Sequence, residues 1–344
     1  MLTQRAADRL ADTANPQEHY VLSLLRVFAL NFVGISLVGV GSALAADAYP
    51  ARPVRWVVPY PPGGTTDIVA RIIGQQLTER LGQQIVIDNR PGAGNNIGTE
   101  VVVKSSPDGY TVLLVNAANA INATLYQNLN FNFLRDMEPV AGLVRVPNVM
   151  EVPRSMPART VAEFIAYAKA NPGKVNMASG GNGTSVHLSG ELFKSMTGIT
   201  MLHVPYKGAG PALIDLIGGQ VHVMFDNLPS SIGHIKSGEL RALAVTTLKR
   251  SPALPDVPTV NDTVPGYEAS AWFGMGAPKG TPPAVIEKLN SEINRALADP
   301  RIKARLAELG GDPIAGSPAD FWRLHAAETE KWAKVVKFSG AKVE

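Results

Sequence analysis

Short apolar runs alternate with amphipathic stretches from Arg52 to the end of the chain. The run at 54–59 reads as a strand. Behind it Ile68, Val69, Ile72, Ile73, Leu77 and Leu81 recur at helical spacing and predict a helix over 66–81. Further strands are predicted at 84–88 and 110–115, with a helix over 96–105 between them. A helix over 161–170 stops at Asn171-Pro172-Gly173, and strands follow at 175–178, 201–204, 221–225 and 240–246. Between those strands lie predicted helices at 185–197, 211–217 and 230–236, and beyond Ala277 the pattern is mostly helical, at 283–298, 300–309 and 318–338. Strands alternating with helices imply an α/β chain with mostly parallel sheets flanked by helices. Trp272 and Phe273 read as core, and Glu328, Glu330 and Lys331 as a solvated helix face.

The first 45 residues follow a different pattern. Arg26 precedes an apolar stretch over 27–40, interrupted by Asn31, Ser36 and glycines, and small residues occupy Ala43 and Ala45. Those fourteen residues are fewer than the roughly 20 a helix needs to cross a bilayer. Residues 1–45 are therefore expected to be a secretory signal peptide cut after Ala45, with a retained anchor or a buried helix as the alternatives. A start near Val21 would shorten the unusually long polar lead.

Composition narrows the chemistry. The chain has 344 residues, 45 % hydrophobic and 18 % charged, which fits two domains and excludes intrinsic disorder. It has no cysteine, so disulfides, thiolate nucleophiles and iron–sulfur clusters are excluded. A net charge of +3 without a basic run gives no sign of nucleic-acid binding. The six histidines show no metal-ligand spacing, so neither metal nor cofactor is expected.

Three loops carry candidate chemistry. After the first strand, Pro61, Pro62, Gly63 and Gly64 lead into Thr65, Thr66 and Asp67 at a helix start, where free N–H groups suit a carboxylate or phosphate. Asp67 would cap or orient that loop, since an anion beside a bound anion repels it. The alternative is a plain capped turn. A second loop, Gly92-Ala93-Gly94-Asn95-Asn96-Ile97-Gly98, has one residue too many for a dinucleotide fingerprint and reads as a packing loop. The third runs from Ser179 through Gly183, Thr184 and Ser185 into the next helix and repeats the first layout. Two such cradles, one in each half, point to a ligand held in a cleft. His187, one turn into that helix, either donates to a ligand carboxylate or packs; Asp226, ending a strand, either holds a ligand's polar group or caps a turn.

Several segments together resemble the extracytoplasmic solute receptors of tripartite tricarboxylate transporters, the Bug receptor family. They are Tyr60-Pro61-Pro62-Gly63-Gly64-Thr65-Thr66-Asp67, Asn89-Arg90-Pro91-Gly92-Ala93-Gly94, Asp108-Gly109-Tyr110-Thr111 and His187-Leu188-Ser189-Gly190-Glu191-Leu192-Phe193. Val204-Pro205-Tyr206-Lys207-Gly208, Leu240-Arg241-Ala242-Leu243-Ala244-Val245-Thr246, Leu254-Pro255-Asp256-Val257-Pro258-Thr259 and Pro265-Gly266-Tyr267-Glu268 extend the match over nearly the whole mature chain.

The resemblance implies a two-lobed periplasmic binding protein, with lobe 1 at 46–146 plus 271–344, lobe 2 at 147–270, and two strands crossing between them. It further implies a monomer that captures a small organic acid between the lobes and delivers it to a membrane permease. The loops matching Pro62 to Asp67 and Ser179 to Ser185 would cradle a carboxylate, Tyr206 and Asp226 would face the cleft, and His187 would lie near the ligand. Asn116 and Ala118 would meet its distal end, in a segment, 116–123, that departs from the Thr-rich loop and Ile-Asn-Pro turn common in relatives; 130–135 is also atypical. Two rivals to a transport receptor are a ligand sensor for a membrane kinase and a secreted hydrolase using Ser185, His187 and Asp226. Against the hydrolase, Ser185 and His187 lie two apart at a helix start and point to different sides, and no nucleophile elbow presents the serine.

Overall fold

The computed structural model describes residues 49–343, so the expected signal peptide lies outside the described residues. Strand β1 (Val54–Val58) leads through the Gly63-Gly64 turn into helix α1 (Thr65–Leu81), which ends at Gly82 in the left-handed conformation that favours glycine. Then come β2 (Ile85–Asn89), α2 (Asn96–Val103), β3 (Thr111–Asn116), α3 (Ala117–Leu125) and the single turn α4 (Phe133–Asp136). A long strand, β4 (Met137–Pro153), leads into α5 (Val161–Ala170), β5 (Asn176–Ser179), α6 (Ser185–Thr197), β6 (Leu202–Pro205), α7 (Ala209–Ile217), β7 (Val223–Asn227), α8 (Leu228–Lys236) and β8 (Leu240–Val245). The chain closes with β9 (Ser270–Pro278), α9 (Pro283–Ala298), α10 (Pro300–Glu308), the short β10 (Asp312–Pro313) and α11 (Pro318–Ser339).

The strands form one ten-stranded sheet whose main path runs β2-β1-β3-β9-β4-β7-β5-β6. Pairing is parallel within β2-β1-β3 and within β7-β5-β6, as the strand–helix alternation predicts. Around β4 and β9 it turns antiparallel. The first part of β4 pairs with β9, from Met137 opposite Pro278 to Pro147 opposite Ser270; its last residues pair with β7 and β8. One seventeen-residue strand thus belongs to both ends of the sheet.

Neither β4 nor β9 shows in the hydrophobic pattern, because all nine residues of β9 and most of β4 are buried and no in–out alternation marks them. Packing fixes their composition instead. A Cβ on Gly274 would stand 2.1 Å from the Phe321 ring of α11, so only glycine lets that helix lie against β9. Trp272 is fully buried beside the same ring, edge on at 5.9 Å. Glu328 departs from the solvated face expected for it. It is buried, accepts from Trp332 Nε1 at 3.0 Å and meets Arg145 of β4 at 3.5 Å, which pins α11 to that strand.

Candidate functional site

Five helices begin around one cavity of about 50 Å³: α1 at Thr65, α3 at Ala117, α6 at Ser185, α7 at Ala209 and α8 at Leu228. Each helix start leaves N–H groups without an intrahelical acceptor and carries roughly half a positive charge. At α3 and α6 the chain supplies its own cap, Asn116 accepting from the Ala118 N–H and Thr184 from the His187 N–H. At α1, α7 and α8 the N-cap residues Gly64, Gly208 and Asn227 make no side-chain cap bond. The cavity lining holds no Lys, Arg or His among the described residues, so its positive potential comes from backbone alone.

The two glycine cradles meet as their layouts suggest. Gly64, Thr65 and Thr66 line one wall; Thr184 and Ser185 line another, with Asn116, Ala118 and Asp226 between them. The segment 116–123, which departs from the family's pattern, is the last residue of β3 and most of α3. Asn116 and Asn119 form a reciprocal capping box, and the alanine-rich run behind them is a strong helix former.

Other expected residues stand behind the walls. Asp67 accepts from the Gly63 N–H at 3.1 Å, from Arg71 at 2.8 Å and from Asn89 at 3.1 Å, so it shapes the first loop. Burial alone would raise its pKa, but those donors hold the carboxyl below its usual range. Pro62 and Gly63 form the approach to this turn and do not line the cavity. Ser179 bonds the Gly181 N–H and His203, at 3.1 and 2.7 Å. His187 is stacked on His203 at 4.0 Å, and its Nδ1 accepts from the Gly183 N–H at 3.3 Å. Burial first, and the neighbouring His203 and Lys194 after it, push His187 down to about 2, so the ring is a neutral acceptor supporting the loop. Tyr206 turns its hydroxyl to Asp215 at 2.7 Å, away from the cavity. Ser185 accepts from Asn227 at 3.1 Å and Asp226 from Ser231 at 2.8 Å, so Ser185, His187 and Asp226 each serve a different partner and form no triad.

Sequence reasoning missed Asn227, Ala209, Tyr60 and Phe273 as lining residues. Asn227 donates to both Ser185 and Asn148 at 3.1 Å and so ties the α6 and α8 starts to β4. Its place directly after Asp226 at a strand end was the available signal. Phe273 is buried, as a core residue should be, yet one side of it forms the cavity wall.

Two close backbone approaches lie next to residues of the lining. A Cβ on Gly183 would lie 2.0 Å from Asn122 Oδ1 of α3, and one on Gly208 would lie 2.8 Å from Pro61 Cδ. The second glycine loop joins the first of these contacts as packing, its Gly94 carbonyl accepting from Asn122 Nδ2 at 2.8 Å.

Comparison with known proteins gives a consistent result. Residues 69–340 match the model of the tripartite tricarboxylate transporter family receptor. The protein BugT of Bordetella pertussis (strain Tohama I) is 39 % identical over 326 residues, 94 % of this chain and all of that one. An R. palustris structure described as Rpa4515 with adipate is 42 % identical, covers 86 % of this chain and all of its own, and superposes with a TM-score of 0.84. The periplasmic binding protein BugD, 37 % identical over the same share of this chain and all of its own, superposes with a TM-score of 0.83. The fold is that of a two-lobed periplasmic binding protein.

Proposed function

The chain belongs to the tripartite tricarboxylate transporter receptor family, and from that membership and its cleft we propose that it captures a small organic carboxylate and delivers it to a transporter permease. The observation that carries this reading is the convergence of five helix N-termini on a cavity without a cationic side chain. Such a site holds an anion through backbone N–H groups and avoids the desolvation of a buried Lys or Arg. The adipate in the R. palustris relative supports a dicarboxylate as the ligand.

Lobe 1 is assigned to 46–146 plus 271–344 and lobe 2 to 147–270, with β4 and β9 crossing between them. Gly64, Thr65 and Thr66 from one lobe and Thr184 and Ser185 from the other grip one carboxylate; Asn116, Ala118 and Asp226 face the distal end. Ligand entry shifts the population towards the closed form because only that form completes the site. The protein acts as a periplasmic monomer, released by cleavage after Ala45, and performs no catalysis.

Thermal unfolding against a panel of mono- and dicarboxylates, adipate and malate included, tests this. A ligand at 100 times its Kd adds about 2.7 kcal/mol and raises the midpoint on the order of 5 °C. A shift by an acid that is not consumed supports the receptor; no shift with any acid, or turnover of one, overturns it.

A further inference from the structure

An acidic cluster stands directly behind the cleft wall. Glu151 on β4 is fully buried, Asp226 at the end of β7 is 1 % exposed, and Ser231 of α8 lies between them. Ser231 Oγ is 2.7 Å from Glu151 Oε1 and 2.8 Å from Asp226 Oδ2. A hydroxyl has one proton to donate and cannot serve both acceptors. One carboxyl must therefore be protonated and donate to Ser231 Oγ.

The surroundings single out Glu151 as that acid. Its Oε2 has no hydrogen-bond partner, a poor setting for an ion. Asp226 Oδ2 lies within hydrogen-bond reach of Ser230 Oγ, which also meets the Asn227 carbonyl, and the residue sits at the α8 start, where a negative charge is favoured. Burial, and then the charge of Asp226, push Glu151 well above the carboxylate range. Burial pushes Asp226 up to about 6 against the pull of Ser230, Ser231 and the Asn227 backbone.

Asp226 lines the cavity, so an anionic ligand brings a second negative charge against it with no cationic side chain in the lining. His234 of α8 pulls the Asp226 pKa down through its charge, Lys236 lies in the last turn of the same helix, and the other ionisable groups around the cluster have partners of their own. His234 of α8 is bonded to Glu239, and Lys194 of α6 to Glu191. His187 supports the Gly183 loop, Asp215 of α7 accepts from Tyr206, Arg241 of β8 donates to the Met156 and Ala158 carbonyls, and Asp67 of α1 is held by Arg71.

Resting on the carboxylate reading above, we propose that this receptor binds its ligand together with one proton, which Asp226 takes up from solvent while Glu151 retains its own and Ser231 links the two. No covalent bond other than the new O–H is made. Affinity for a fully ionised dicarboxylate then rises as pH falls from about 8.5 to about 6.5, by up to roughly tenfold per unit.

The test is calorimetric titration with adipate in buffers of different ionisation enthalpy, which counts protons taken up per ligand. The wild-type protein should take up close to one at about pH 8. Asp226→Asn should take up none, bind with a flat pH profile and hold adipate more tightly than wild type at high pH. Glu151→Gln, which keeps a donor towards Ser231, should leave the count near that of the wild type. Binding without proton uptake in the wild type, uptake that survives Asp226→Asn, or uptake lost in Glu151→Gln each overturns the proposal. Should adipate not bind, the acid of the panel that does bind replaces it; should none bind, the carboxylate reading is at fault, and infrared spectra of the unliganded protein judge the cluster on its own. A protonated-carboxyl band that persists at about pH 8 and disappears in Glu151→Gln supports it, and absence of that band in the wild type overturns it.

Discussion

Thr65, at the first turn of α1, donates its hydroxyl to Ser230 of α8 at 3.1 Å, a bond spanning 165 positions of sequence and joining two of the helix starts that form the cavity. Ser230 is bonded in turn to Asp226 and to the Asn227 carbonyl, so hydroxyls link the glycine cradle to the acid of the cavity. Thr65→Val keeps the branched shape and removes the donor. A neutral hydrogen bond is worth about 0.5–1.5 kcal/mol, so carboxylate affinity should fall by about 2–10-fold in calorimetry while the fold is retained.

Gly183→Ala should act on closure. The residue has φ +78°, and its new Cβ would meet Asn122 Oδ1 at 2.0 Å. The positive φ costs an alanine about 1–2 kcal/mol wherever α3 lies, whereas the clash with Asn122 is relieved when α3 and the Gly183 loop separate. The expected result is a larger radius of gyration by X-ray scattering at saturating ligand, together with weaker binding. An unchanged profile and affinity would refute the role given to this contact.

Asp226 should make the unliganded protein less stable as pH rises. Its folded pKa is raised from 3.8 to about 6, so the folded state binds the proton more tightly than the unfolded chain does. Stability is full below the unfolded value and is lost as pH climbs through the folded one, by roughly 3 kcal/mol in all. Asp226→Asn removes that loss. Its midpoint relative to wild type should rise between about pH 4 and pH 7 in thermal unfolding and level off above.

His325 carries the opposite sign. It is stacked on Phe133 at 4.6 Å, its Nε2 has no partner, and burial lowers it from 6.5 to about 3. The neutral ring is compatible with the fold at pH 7. Below about 6.5 the unfolded chain binds the proton first, and stability falls by roughly 1.4 kcal/mol per pH unit until the folded value is reached. His325→Phe should flatten the acid limb of the unfolding curve, leaving the slope due to His187 and His203. Parallel acid limbs in variant and wild type would contradict this.

Helices α1, α5, α6 and α9 could be read from sequence almost to the residue, because amphipathic spacing, Gly and Pro stops and helix-start residues are local signals. The glycine loops before Thr65 and Ser185 were legible for the same reason: free N–H groups at a helix start are a property of a few adjacent residues. Local chemistry could not say that the Ala117, Ala209 and Leu228 helix starts would join those two around one cavity. Nor could it turn His187 back onto His203, bury Glu328 under Trp332 or fix the protonation of Glu151 across Ser231. The burial of Glu328 also needs Arg145 of β4, 183 positions away, Glu151 and Ser231 are 80 positions apart, and His187 and His203 stack across α6 and β6, all within the sheet that β4 and β9 join. These two strands are buried on both faces, so their alternation vanishes and they were the least visible elements of the chain. The sequence by itself determined the pieces that can hold an anion, since N–H geometry at a turn is local; the sheet joined through β4 and β9 decided which pieces face one another, since burial and mutual electrostatics exist only once it has formed.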